Sequence, residues 1–197
     1  MAVGAVVFDV GETLVDETRH WTLVAEAAGM PPLTLMGVLG GLIGQGRDFG
    51  EVWDVLGVPK PAGEFPLETW YPDALPCLAR LREGGFRVCA CGNTPVGTEA
   101  LVAPHVDAAA SSAGWGVSKP SPAFFERVAE LAEAPPEKIA YVGDRVDNDV
   151  VPALAAGMVA VHLRRGPWGY LQAPPPQAIR ISSLDELPEV FELEAVS

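Results

Sequence analysis

Three short apolar runs in this chain each stop at a polar residue. Ala5-Val6-Val7-Phe8 stops at Asp9, Phe86-Arg87-Val88-Cys89-Ala90-Cys91 at Gly92-Asn93, and Ile139-Ala140-Tyr141-Val142 at Gly143-Asp144. Such runs do not alternate and are rich in β-branched residues, which is the pattern of strands buried on both faces. A fourth run covers 159–163 and a weaker fifth 178–181. Helical patterns fall between them. Leu75, Leu78 and Leu81 recur before Gly84-Gly85, and Phe124 or Phe125, Val128 and Leu131 mark a helix that Ser121 can cap, with Pro122 at its first position. Residues 150–156 read as a short helix ended by Gly157, and Ser183-Leu184-Asp185-Glu186 has the capping-box pattern. Strands alternating with helices predict an α/β fold with a parallel sheet covered on both faces. In such sheets ligands bind beyond the carboxyl ends of the strands, so Asp9, Gly92-Asn93 and Gly143-Asp144 should converge.

The rhythm breaks between about residues 16 and 70. Helix-like stretches at 21–28, 33–43 and 52–56 are separated by glycine and proline, and Pro59-Lys60-Pro61-Ala62-Gly63 reads as a linker. The simplest expectation is an all-helical insertion after the first strand, placed to act as a lid that excludes water. The length of 197 residues suits one core domain with such an insertion.

The net charge of −13 argues against a nucleic-acid partner and against an anionic membrane surface. A small anionic substrate is compatible with it, because local positive charge can override the global field. The three cysteines, Cys77, Cys89 and Cys91, are too few and too uneven for a disulfide framework. Cys89 and Cys91 have strand spacing and should share one face as buried thiols. The first apolar run is broken by Asp9 and has no basic leader, and the stretch 33–44 is too short to span a bilayer, so the expected location is cytoplasmic.

Four motifs in order resemble the haloacid-dehalogenase-like hydrolase family. Asp9-Val10-Gly11-Glu12-Thr13 matches its first pattern at Asp9 and Thr13, and Gly92-Asn93 aligns with its second. Lys119, in Lys119-Pro120-Ser121-Pro122-Ala123-Phe124, supplies the third, and Gly143, Asp144 and Asp149 the fourth. The resemblance covers nearly the whole chain. It implies a parallel-sheet, Rossmann-like core (residues 1–15 and 71–197) with a small all-α cap (16–70). It implies Asp9 as a nucleophile that forms a covalent intermediate. It also implies a Mg2+ site from Asp9, Asp144, the backbone carbonyl of Gly11, and Asp149 at the metal or in its outer shell, with Asp147 as a rival. Asp149 alone also reads as a helix N-cap. Gly92, Asn93 and Lys119 are the implied substrate- and phosphate-binding residues. Lys119 can offset carboxylate repulsion by about 4 kcal/mol per partner at roughly 4 Å and an effective dielectric near 20. Thr13 is expected to bond the backbone near the nucleophile turn, and Asn93 to orient that loop or the substrate.

The match departs from the family at three places. Gly11 replaces the second aspartate, which in the family's phosphatases protonates the leaving oxygen. Gly92 lacks the expected hydroxyl, and Glu12 stands where glycine is usual. Glu12, Asp16 and Glu17 are the nearby carboxyls that could replace the missing acid. Arg19 and Arg47, in the insertion, read either as anion ligands or as solvated side chains. Trp168 and Tyr170 read either as an exposed adhesive pair or as local packing. The expected activity is a magnesium-dependent phosphatase on a small phosphorylated metabolite. The alternatives are a 2-haloacid dehalogenase-like hydrolase and a catalytically weak family member that binds a ligand or protein. Oligomeric state is left open.

Overall fold

The computed structural model describes residues 3–63, 65 and 69–191. The remaining positions, including 64 and 66–68 of the expected cap and 192–197 of the expected core, lie outside the described residues. Among the described residues eight strands occur in chain order: β1 Ala5–Phe8, β2 Val15–Asp16, β3 Thr69–Trp70, β4 Arg87–Gly92, β5 Ala108–Ser111, β6 Ile139–Gly143, β7 Val159–Leu163 and β8 Ile179–Ile181. Ten α-helices accompany them among the described residues. The first five are α1 Thr18–Ala27, α2 Pro32–Gly44, α3 Val52–Leu56, α4 Ala74–Glu83 and α5 Gly97–Val102. The others are α6 Ser112–Trp115, α7 Pro122–Ala132, α8 Val151–Ala155, α9 Gly166–Leu171 and α10 Leu187–Val190.

Six strands form one parallel sheet in the order β5-β4-β1-β6-β7-β8. Every residue of β1 and β6 is buried, as their unbroken apolar runs predict. The two sheet faces carry separate cores. Val6, Phe8, Leu78 and Leu81 pack on one, and Val7, Cys89, Cys91, Phe124, Phe125 and Tyr141 on the other. Cys89 and Cys91 therefore do share a face, and all three cysteines are buried free thiols. Burial pushes the Cys89 thiol up to about 11 and Cys77 to about 12, which leaves both unreactive at neutral pH.

Strand β5 was not legible in advance. Its Ala-Ala-Ala-Ser sequence has little strand propensity, and it is in the sheet because it pairs with β4 at the edge. The expectation of an all-helical 16–70 also needs correction. β2 and β3 pair antiparallel, Val15 with Trp70 and Asp16 with Thr69, and so pin together the two ends of the segment. Between them α1, α2 and α3 bury Val24, Leu35, Leu39, Leu42, Ile43 and Val52 in a third cluster. That cluster also takes in Trp168 from α9, which follows the sheet strand β7. Of the two loop aromatics, Trp168 is thus a packing residue at 5% exposure, while Tyr170 is 63% exposed. Ser121 precedes α7 but makes no side-chain cap bond, whereas Ser183 and Glu186 do form a capping box. Among the described residues, no single helix is long and apolar enough to cross a membrane.

Candidate active site

β1, β4 and β6 are neighbours, so their carboxyl ends bring Asp9, Asn93 and Asp144 to one place. Asp9 follows β1 directly, and its N–H donates to Val142 O of β6 (2.8 Å). The chain then turns back tightly, with Val10 O accepting from both Leu14 N and Val15 N (2.9 Å each). This turn sets Asp9 at 7% exposure.

Lys119 lies beside it, fully buried. Its Nζ stands 2.7 Å from Asp9 Oδ1 and 2.6 Å from Asp149 Oδ1. Burial alone would pull the ammonium down, but Asp149 and Asp9 outweigh it and hold the pKa above the ordinary lysine value. Asn93 fixes the lysine's backbone: Lys119 N–H donates to Asn93 Oδ1 (2.8 Å), and Asn93 Nδ2 donates to Lys119 O (3.0 Å). Asn93 thus holds the lysine loop, a partner the sequence reading had not named for it.

Asp149 does not cap a helix. It lies in a π-turn, Val146–Val150, and its Oδ2 reaches back to accept from Arg145 N–H (2.9 Å). Both its oxygens thus have donors. Burial, then repulsion from Asp9, lifts its carboxyl to about 6 against the pull of Lys119. The rival Asp147 is outside this cluster, bound to Arg145 Nη2 (2.6 Å) and Gln172 Nε2 (3.0 Å).

Asp144 is 1% exposed, and its Oδ2 is buried with no hydrogen-bond partner among the described residues. Burial first, then Asp149 and Asp9, push its carboxyl well above the usual range. Its backbone carbonyl accepts from His162 Nε2 on β7 (3.0 Å). Asp9, Asp144 and Asp149 each offer a carboxylate oxygen, all within 4.8 Å of one another.

The two glycines that depart from the family are sites of close approach. A β-carbon on Gly92 would lie 3.6 Å from Asp9 Cγ and collide with Asp9 Oδ1, so the space freed by the missing side chain is filled by the nucleophile candidate. A β-carbon on Gly11 would lie 2.8 Å from Glu17 Cδ and closer still to its Oε1. Glu17 is held by Trp21 Nε1, which donates to its Oε2 (3.1 Å). Burial, then Glu12 and Asp9, lift its carboxyl to about 7 in spite of the Trp21 N–H.

Glu12 adopts a left-handed φ of 51°, which accounts for glycine as the usual residue there. Its side chain compensates by accepting from Glu17 N–H and Tyr71 O–H, both at 2.8 Å. Thr13 does not bond the backbone as expected: its Oγ1 is buried with no partner among the described residues. Instead Thr13 O accepts from Arg165 Nη1 (2.8 Å). Arg47 is exposed and paired with Glu51. Arg145 escaped the sequence reading altogether. Its guanidinium lies 4.7 Å from the Trp168 ring centre and 5.2 Å from that of Phe49, joining the end of β6 to the helical segment.

The model of the haloacid dehalogenase-like hydrolase family matches residues 39–157. The chain belongs to that hydrolase family. It is 38% identical over 104 residues to a glyceraldehyde 3-phosphate phosphatase of Methanopyrus kandleri, covering 50% of this chain and 45% of the relative. It is 33% identical over 138 residues to a phosphoserine phosphatase of Thermus thermophilus, covering 67% of this chain and 53% of the relative. The chain spans about half the length of the curated relatives it matches. Its fold is similar to that of the putative hydrolase YfnB of Bacillus subtilis, with a TM-score of 0.74 at 16% identity over 98% of this chain and 100% of that one.

Proposed function

We propose that this chain is a magnesium-dependent phosphatase of small phosphorylated metabolites, with Asp9 as the nucleophile. The observation that carries the reading is the buried cluster of Asp9, Asp144 and Asp149, with Lys119 between two of them and Asp144 Oδ2 without a partner among the described residues. A buried, unpartnered carboxylate oxygen is costly unless something binds it. The cluster contains no histidine or cysteine, and its hard oxygens suit magnesium. Asp9 and Asp144 would hold the ion with the carbonyl of Gly11. Asp149, whose oxygens already accept N–H groups, would serve the outer shell. Bound there, magnesium would supply positive charge to the phosphoryl oxygens.

The chain's own groups account for the remaining chemistry. Asp9 attacks phosphorus in line with the leaving oxygen, the P–O bond to that oxygen breaks, and an aspartyl-phosphate forms. Water then adds to phosphorus and frees the Asp9 carboxylate. Lys119 pairs with Asp9 and offers its positive charge to the substrate anion. Asn93 positions that lysine through hydrogen bonds to its backbone, and Gly92 lets Asp9 approach the end of β4 closely. Residues 1–15 and 71–197 form the core in this reading, and 16–70 a cap that excludes water and selects the substrate. The names of the two relatives support a small phosphomonoester without choosing one.

A screen of phosphomonoesters with and without magnesium, including an aryl phosphate, tests the proposal. Magnesium-dependent turnover lost in Asp9→Asn is expected. Metal-free halide release from 2-haloacids would favour the dehalogenase reading instead. Ligand binding with no product over hours would favour a non-catalytic role.

A further inference from the structure

A proton must reach the leaving oxygen when it departs from phosphorus as an alkoxide, and the groups so far described do not give one. Lys119 is committed to Asp9 and Asp149. Residue 11, next but one to the nucleophile, has no side chain. Three carboxyls follow it closely in sequence, and the structure separates them. Glu12 has both oxygens engaged, by Glu17 N–H and by the Tyr71 hydroxyl. Asp16 accepts from Thr18 N–H (2.8 Å) within the β2–β3 ribbon region. Glu17 brings its carboxyl into the volume that a side chain on residue 11 would occupy, whereas Glu12 lies against Gly166.

We propose that Glu17 is the proton donor and acceptor of this site, reaching from the start of α1 into the space left by Gly11. The inference rests on the phosphatase reading above. Its geometry is built rather than incidental. Trp21, one helical turn further along α1, holds Oε2, so that Oε1 faces Gly11. Glu12 holds the Glu17 backbone by its N–H. The carboxyl therefore comes from the helical segment, while the nucleophile comes from β1. In the first step the Asp9–phosphorus bond forms, the bond from phosphorus to the leaving oxygen breaks, and the Glu17 proton passes to that oxygen. In the second, water adds to phosphorus, its proton returns to Glu17, and Asp9 leaves as carboxylate. The sum is ester plus water to alcohol plus phosphate, with Glu17 unchanged.

The test compares Glu17→Gln with wild type on an aryl phosphate and an alkyl phosphate. It uses kcat/KM, which stops at departure of the leaving group, with magnesium affinity measured calorimetrically. Loss of a general acid should lower kcat/KM for the alkyl ester by about 10² to 10⁴. The aryl ester, whose leaving group needs little protonation, should lose less than about tenfold. Magnesium affinity should be unchanged. Pre-steady-state aryl turnover by Glu17→Gln should show a burst followed by slowed release of phosphate. Equal losses on both esters would mean a structural role and would overturn the assignment while the phosphatase reading stands. The double variant Gly11→Asp with Glu17→Ala moves the carboxyl to the other side of the same space and should recover alkyl-ester hydrolysis. Failure to recover it in a folded protein that binds magnesium also overturns the assignment. Absence of phosphatase activity in wild type removes the parent reading and this one together.

Discussion

Lys119 and Asp144 have opposite effects on the fold, and both follow from burial. Lys119 neutralises Asp9 and Asp149 within a largely buried cluster. Lys119→Met leaves both carboxylates uncompensated, and removing one partner of a buried pair costs about 3–5 kcal/mol. Urea unfolding of the magnesium-free protein at neutral pH should show a loss of that order. Asp144 adds a third buried carboxyl whose Oδ2 has no hydrogen-bond partner among the described residues. Asp144→Asn should therefore raise the melting temperature of the magnesium-free protein while weakening magnesium binding severalfold or more.

Glu17 behaves similarly, with a definite pH window. Its carboxyl is lifted from 4.5 to about 7 on folding. The folded protein then holds a proton that the unfolded chain gives up between those values, so stability falls as pH rises from about 4.5 to about 7. Above about pH 7 the ionised group weighs fully against the fold. Glu17→Gln should melt a few degrees higher than wild type at about pH 8, with the difference gone near pH 4.5. A constant difference across that range would contradict the assignment of the shift to Glu17. Gly11→Asp on its own, which the sequence recommends as a repair, should instead impair the site, because the new side chain meets Glu17.

At the scale of elements, the attachment of the helical segment to the sheet depends on α9. Trp168 sits in the cluster formed by α1, α2 and α3, and its ring also stacks beneath Arg145. Trp168→Ala opens a cavity between the two parts and should cost about 3–5 kcal/mol. Hydrogen exchange should rise in α2 and α3 more than in β1 and β6, because the sheet cores are separate clusters. Uniform exchange changes would mean that the helical segment and the sheet unfold as one unit.

At the scale of the whole molecule, the legible parts were those with strong periodicity. β1, β4, β6 and β7 announce themselves as buried apolar runs, and their ends locate Asp9, Asn93 and Asp144 without further information. β5 did not, since three alanines carry no strand signal and only its neighbour β4 makes it one. Lys119 was legible by its motif, but the clamp by Asn93 was not, because the two are 26 positions apart and meet only through the sheet. Glu17 was one of three equivalent carboxyls in sequence. The fold distinguishes it, since the turn after β1 and the start of α1 decide which carboxyl faces Gly11. Arg145 and Trp168 were invisible as a pair, for their contact crosses from one sheet loop to another and then to Phe49.

Catalysis as proposed here requires Asp9 to form a bond to phosphorus within this cluster. Acid quenching during turnover of an aryl phosphate with magnesium, followed by peptide mapping, reads this directly. The phosphoryl group should be found on the peptide containing Asp9, and be absent both without magnesium and in Asp9→Asn. Turnover with Asp9 unmodified and the phosphoryl group on another residue would contradict the account.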